Sequence, residues 1–202
     1  RGRDFYASQL YENIPAKDGR QIQIAWARIP APDMPFNQCM SFPVALKLKK
    51  RHNTYVLCPT PVEEIKTLHK DSDVYKDVVL DQNNGTFVPP VKGDVLHIVG
   101  VFERGDSWQL GLNINGYEVT YDNVHQLLNG VTYPQEGDVL KIEVIVDKTI
   151  VEVFINDGEL YFVKPLDSVS GKQEIKAFAK ARAKGNKTVL KKLEVHRLKS
   201  VW

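Results

Sequence analysis

A chain of 202 residues with a formal net charge of +2, 43% hydrophobic and 26% charged, holds enough apolar material for one large domain, or for one domain joined to part of another. That balance excludes wholesale disorder, and basic runs without interleaved stacking aromatics argue against a nucleic-acid surface. No apolar stretch reaches the roughly 18 residues that a bilayer crossing requires, so neither nucleic acid nor membrane insertion is expected.

The first residue is Arg1 rather than Met, and a strand-like pattern is already running at Asp4 with no turn or cap ahead of it. The chain is therefore read as entered in mid-fold, either a shortened form or one processed product. Asp4 to Leu10 and the alternating Gln21 to Trp26 predict two paired strands, joined through Pro15 and the turn-forming pair Asp18-Gly19. Pro30, Pro32, Pro35 and Pro43 follow; fixed φ and missing donors make this stretch a linker. Alternation resumes in Val44 to Leu48 and Tyr55 to Pro59, and the basic run Lys47 to Arg51 is read as a solvated strand face. Pro61 to Leu68, with Val62, Ile65 and Leu68 at helical spacing, predicts about two helical turns.

From Leu96 onward the pattern is strand after strand: 96–102, 108–114, 117–121, 139–146, 150–155, 160–163, 175–181 and 189–198. Asn115-Gly116, Asp147-Lys148 and Asn156-Asp157-Gly158 mark hairpin turns, too short for parallel crossovers, so the pairing is antiparallel. The expected fold is all-β, a two-sheet antiparallel β-sandwich. Cys39 and Cys58 cannot make a disulfide framework; they read as buried free thiols, with one bridge between them as the alternative.

Five segments in order carry a family resemblance. Arg3-Asp4-Phe5-Tyr6-Ala7-Ser8-Gln9 is similar to the Asp-Phe-Tyr-Ala-x-Gln segment of glycoside hydrolase family 32, and Ile24-Ala25-Trp26-Ala27 resembles its Gly-Trp-Met-like strand with Ala25 in place of Gly. Pro35-Phe36-Asn37-Gln38-Cys39-Met40-Ser41-Phe42-Pro43 resembles its Pro-x-Asn-x-x-Met-Ser-x-Pro linker. Val151 to Glu159 resembles its sandwich signature, and Leu198-Lys199-Ser200-Val201-Trp202 its terminal Leu-Lys-Ser-Ile-Trp.

The resemblance implies a secreted, periplasmic or cell-surface β-fructosidase acting on levan, inulin or sucrose. In that family a five-bladed β-propeller carries the active site and a concanavalin-like sandwich packs on it. Residues 1–29 would then be the last propeller strands, a hairpin remnant, with 30–43 the linker and 44–202 the sandwich. The implied partners are the N-terminal propeller and a fructan or sucrose substrate. Retaining hydrolysis needs a nucleophile and a general acid/base, two carboxyl groups about 5 Å apart. The family places its catalytic residues in Trp-Met-Asn-Asp-Pro-Asn-like, Arg-Asp-Pro and Glu-Cys-like motifs, and none of the three occurs here.

No catalytic residue, cofactor or metal ligand is accordingly assigned to this chain. By the same resemblance Trp26 would line the fructose pocket of the whole protein, with Phe5 and Tyr6 as weaker contacts, one of the two pointing inward. Asp4 is expected to make a structural hydrogen bond, Glu152 to lie on an exposed strand face, and Asp157 to serve its turn. His52, His69, His97, His125 and His196 are scattered along the sequence without metal-ligand spacing. A rival reading is a stand-alone lectin-like sandwich that binds glycans through Trp108, Tyr117 and Tyr121.

Overall fold

The computed structural model describes residues 4–51, 53–166 and 173–200. Two strands open it, β1 (Phe5–Leu10) and β2 (Ile22–Ala27), antiparallel as their alternation predicts. The short β3 (Cys39–Met40) flanks β2, and β4 (Val44–Arg51) forms a hairpin with β5 (Thr54–Pro61). Through Ile22 opposite Ala45 and Gln23 opposite Val44, β4 also pairs with β2. The predicted hairpin is thus part of a five-stranded sheet whose last strand, β5, ends at Pro61.

The segment predicted as two helical turns is a 3-10 helix, Glu63–Leu68, with Ile65 buried. Val62 before it and His69 after it are both extended, and no side chain caps the start. A connector this short between two strands lacks the length and the cap that favour an α-helix, and the tighter winding suits it.

Twelve further strands follow: β6 (His69–Asp81), β7 (Thr86–Phe87), β8 (Val95–Glu103), β9 (Gln109–Ile114), β10 (Tyr117–Asp122), β11 (Leu127–Leu128), β12 (Val131–Thr132), β13 (Val139–Asp147), β14 (Ile150–Ile155), β15 (Leu160–Pro165), β16 (Ile175–Lys180) and β17 (Lys187–Leu198). They make two six-stranded antiparallel sheets, in the orders β12-β11-β10-β9-β16-β7 and β15-β14-β13-β8-β17-β6. Leu96, Ile98, Leu140, Ile142 and Val144 of the second sheet meet Leu110, Leu112, Ile114 and Ala177 of the first in the sandwich core.

The outer face of that second sheet is not left to solvent. Ile145, Ile150, Phe154, Tyr161 and Val163 pack on Ala27 and Val44 of the N-terminal sheet, on Ile29 just after β2 and on Ile65 of the 3-10 helix. The molecule therefore has three layers, and the middle sheet is covered on both faces where the N-terminal sheet lies on it. For this reason every residue of β14, Ile150–Ile155, is buried, Glu152 included.

Strand β6 escaped the sequence reading although it spans 13 residues. It forms the edge of the middle sheet, only Leu80 is fully buried, and its charged residues suit an edge that must not recruit other strands.

The β14–β15 hairpin is the point of closest approach between sandwich and N-terminal sheet. Asn156, Asp157 and Gly158 have φ of 48, 58 and 87°, and a Cβ at Gly158 would lie 1.9 Å from the Pro59 carbonyl oxygen. Gly158→Ala should therefore cost at least about 1–2 kcal/mol from backbone strain alone and also push β5 away. Urea unfolding should show the loss, and limited proteolysis should show faster cleavage between residues 62 and 69.

Candidate functional site

The Pro-rich segment resembling the family linker does specific bonding at the junction. The Ser41 hydroxyl accepts from the Ala25 N–H at 3.0 Å, and the Ser41 N–H donates to the Ala25 carbonyl at 2.8 Å. One residue on, the Phe42 N–H donates to Glu152 Oε1 at 2.6 Å, while the Tyr161 hydroxyl donates to Glu152 Oε2 at 2.5 Å. Tyr161 is itself held by the stacked Phe154 ring at 4.5 Å and the edge-on Phe5 ring at 5.5 Å.

Glu152 was expected on an exposed face, and the structure corrects this: it is 2% exposed. The strand alternation places it outward from the sandwich core, but outward here means under the N-terminal sheet. Burial pushes its carboxyl up to about 7, although the bonds from Tyr161 and Phe42 favour the ionised form.

A rim of ion pairs surrounds this buried contact. Lys49 donates to the Asn156 carbonyl at 2.9 Å and reaches Asp157 at 3.3 Å, while Lys141 holds Asp157 at 2.7 Å. Burial raises the Asp157 carboxyl, but Lys141 and Lys49 outweigh it and leave the group below its usual range. Arg51 meets Glu136 at 3.3 Å and Glu159 at 3.5 Å, and lies 4.7 Å over the Tyr133 ring. The basic run is thus more than a solvated face. Asp4 pairs with Lys164 of β15 at 3.3 Å, a structural contact as expected.

Beside these bonds the Pro-rich segment and the middle sheet enclose a cleft of about 560 Å³, with Met34, Phe36 and Met40 on one wall and Ile145 and Ile150 on the other. Cys39 and Cys58 are not joined in a disulfide, and burial, aided by the Glu152 charge, raises the Cys39 thiol to about 11.

The aromatic residues assigned to substrate separate onto two faces. Phe5 turns toward the sandwich. Tyr6 and Trp26 are cross-strand partners on the opposite face, 53% and 40% exposed, with ring centroids 6.0 Å apart. The Arg28 guanidinium lies 4.4 Å over the Tyr6 ring. A bulge between Tyr6 and Gln9, with Ala7 at φ 45°, re-aims the strand immediately after this pair.

The lectin-like platform is not formed. Tyr121 is fully buried and Tyr117 packs against the core, while Trp108 is half-buried beneath Lys180 and Arg182 at 5.5 and 5.9 Å. The histidines are a second correction. His69, His97 and His196 converge, because antiparallel register places His97 opposite His196 on adjoining strands and His69 at the start of the next. His125 pairs with Asp122 at 2.9 Å away from them. His52, Arg3 and Val201-Trp202 lie outside the described residues.

A sandwich docked through a buried carboxylate onto a second antiparallel sheet, with paired aromatics on that sheet's far face, describes a two-part all-β protein. Residues 101–197 match the model of the glycosyl hydrolases family 32 C-terminal domain, and residues 1–60 that of the family's N-terminal domain. The chain belongs to glycoside hydrolase family 32.

Among its relatives, a levanase of Bacillus subtilis is 26% identical over the whole of this chain and 34% of its own length, and a sucrose-6-phosphate hydrolase of Escherichia coli 28% identical over 78% of this chain and 35% of its own. Solved structures with the same fold include a fructofuranosidase of Schwanniomyces occidentalis (TM-score 0.77, 16% identity) and an exo-inulinase of Aspergillus awamori (TM-score 0.77, 17% identity). Each aligns with 98% of this chain, which spans 48% and 44% of their respective lengths. The chain thus spans about a third of these curated relatives and under half of these structures.

The junction carboxyl makes stability depend on pH in a defined direction. Folded, Glu152 keeps its proton to about pH 7, whereas an unfolded Glu releases it near 4.5. Its contribution is complete below 4.5 and is lost as pH rises toward 7, at up to about 1.4 kcal/mol per pH unit. In urea unfolding across that window, the wild type should lose stability relative to Glu152→Gln, which accepts from Phe42 and donates to Tyr161 at every pH.

Proposed function

We propose that this chain is the C-terminal part of a β-fructosidase acting on levan, inulin or sucrose, and that its sandwich is a scaffold for a catalytic propeller. The carrying observation is the Glu152 carboxyl, which ties the Pro-rich segment between β2 and β4 of the N-terminal sheet to two strands of the sandwich. A module evolved to bind glycans on its own has no use for a polar group buried under a neighbouring sheet. A scaffold does, since it must hold its neighbour in one register.

On this reading residues 4–61 belong to the catalytic side, the 3-10 helix is the connector, and residues 69–200 are the sandwich. The two carboxyl groups of retaining hydrolysis are supplied elsewhere in the protein, consistent with the absence of the family's three catalytic motifs here. Trp26 offers its exposed face to the apolar C–H side of a fructosyl ring, and Tyr6, braced by Arg28, sets its angle. Phe5 acts one layer deeper by packing on Tyr161, so its effect on substrate is indirect. Secretion to the periplasm, cell surface or medium suits polymeric fructans, and the name of a relative, an extracellular exo-inulinase of Aspergillus niger, supports it.

Fructose release from levan, inulin and sucrose tests the proposal. The 202-residue chain alone should release none. In the protein extended by its propeller, Trp26→Ala should lower kcat/KM about tenfold, equivalent to about 1.4 kcal/mol of transition-state binding. Turnover by the chain alone that disappears on replacing one of its own carboxylates would overturn the reading.

A further inference from the structure

The histidine cluster lies outside the aromatic face and the junction bonds. His97 is buried on β8, and its Nε2 meets Glu143 Oε1 at 2.9 Å; the other carboxylate oxygen is held by Lys141 at 2.9 Å. A carboxylate here accepts, so His97 carries its proton on Nε2 and presents a lone pair at Nδ1.

That lone pair faces His69 Nε2 at 3.1 Å. Two nitrogens each about 2.0–2.1 Å from one Zn²⁺ stand about 2.9–3.4 Å apart at ligand angles of about 90–110°, so the observed separation is already that of neighbouring ligands. His196 supplies the third ring. One nitrogen from each of the three residues lies within 4.8 Å of the others, and Ser72 Oγ contacts His196 Nδ1 at 2.6 Å. With Ser72 on Nδ1, Nε2 is the nitrogen His196 has to offer. Its ring stacks on His69 at 3.8 Å, so ligation requires His196 to turn out of that stack about its own side-chain torsions.

We infer that His69, His97 and His196 form a binding site for one divalent transition-metal ion of the Zn²⁺ type, with Glu143 orienting His97. The donor set is all imidazole, which selects Zn²⁺, Ni²⁺ or Cu²⁺ over the oxygen-loving Mg²⁺ and Ca²⁺. The Glu143–His97 pair is the carboxylate–histidine arrangement that fixes the tautomer and ring plane of a metal ligand. Three protein ligands leave a fourth position for water. The ion would fasten β6, the edge strand, to β8 and β17 just beyond the connector whose Ile65 packs in the junction. Its function is therefore a staple beside the connector between the two parts.

Calorimetric titration of Zn²⁺ into tag-free, chelator-stripped protein tests this, with the visible spectrum of the Co²⁺ form and the thermal midpoint as second readouts. Expected are one ion per chain, a tetrahedral Co²⁺ spectrum and a midpoint that climbs with Zn²⁺ concentration. His69→Ala and His196→Ala, both at half-buried positions, should each weaken binding at least tenfold while circular dichroism reports an intact fold. Glu143→Gln should weaken it by about 10–100-fold, and His125→Ala should change nothing. Absence of saturable uptake by the folded protein overturns the inference, as does uptake undiminished in the His69→Ala/His196→Ala double variant.

Discussion

One buried carboxyl group, that of Glu152, sets the relation between the two parts of this protein. A carboxyl group under a sheet is costly unless its oxygens are engaged, and here each oxygen has one donor, the Phe42 amide on one side and the Tyr161 hydroxyl on the other. Neither donor can be replaced by water once the layers close. The Pro-rich segment, the middle sheet and the Phe5-Tyr161-Phe154 ring cluster must therefore arrive together, and a slipped docking would leave a buried acceptor unpaired.

The apolar contacts around that group are less specific. Ile145, Ile150 and Val163 would pack on almost any hydrophobic surface of suitable shape. The direction comes from polar groups: Ser41 bonded twice to Ala25, Lys49 and Lys141 converging on Asp157, and Arg51 over Tyr133. Gly158 then brings its hairpin against the Pro59 backbone where any side chain would collide. Hydrophobic burial supplies the attraction and these contacts supply the register.

That division of labour bears on the rest of the surface. The outer face of the N-terminal sheet keeps Tyr6 and Trp26 exposed because the opposite face, through Phe5, Ala27 and Val44, is consumed by the sandwich. Across the middle sheet, the same outward face that buries Glu152 carries His97 and Glu143 on β8 and β13, with Ile145 between Glu152 and His97. Polar residues on this face are thus engaged wherever the N-terminal sheet covers it, and cluster with each other where it does not.

By itself the sequence determined the strand-rich class, the hairpin turns and the family. Period-2 patterns and positive-φ turn residues are local properties, visible at Asn115-Gly116 and Asn156-Asp157-Gly158 without any knowledge of neighbours. Trp26 and Tyr6 became candidates through motif resemblance alone, and the structure adds that they are exposed cross-strand neighbours. Only the tertiary structure decided the third layer, and with it the burial of Glu152, the pairing of β4 with β2 and the short 3-10 connector. A strand's alternation tells which residues point away from the core, but whether that outside is water or another sheet depends on chain packed far along the sequence. The histidines are the clearest case: His69, His97 and His196 have no common spacing, and only the register of β6, β17 and β8 brings their rings together.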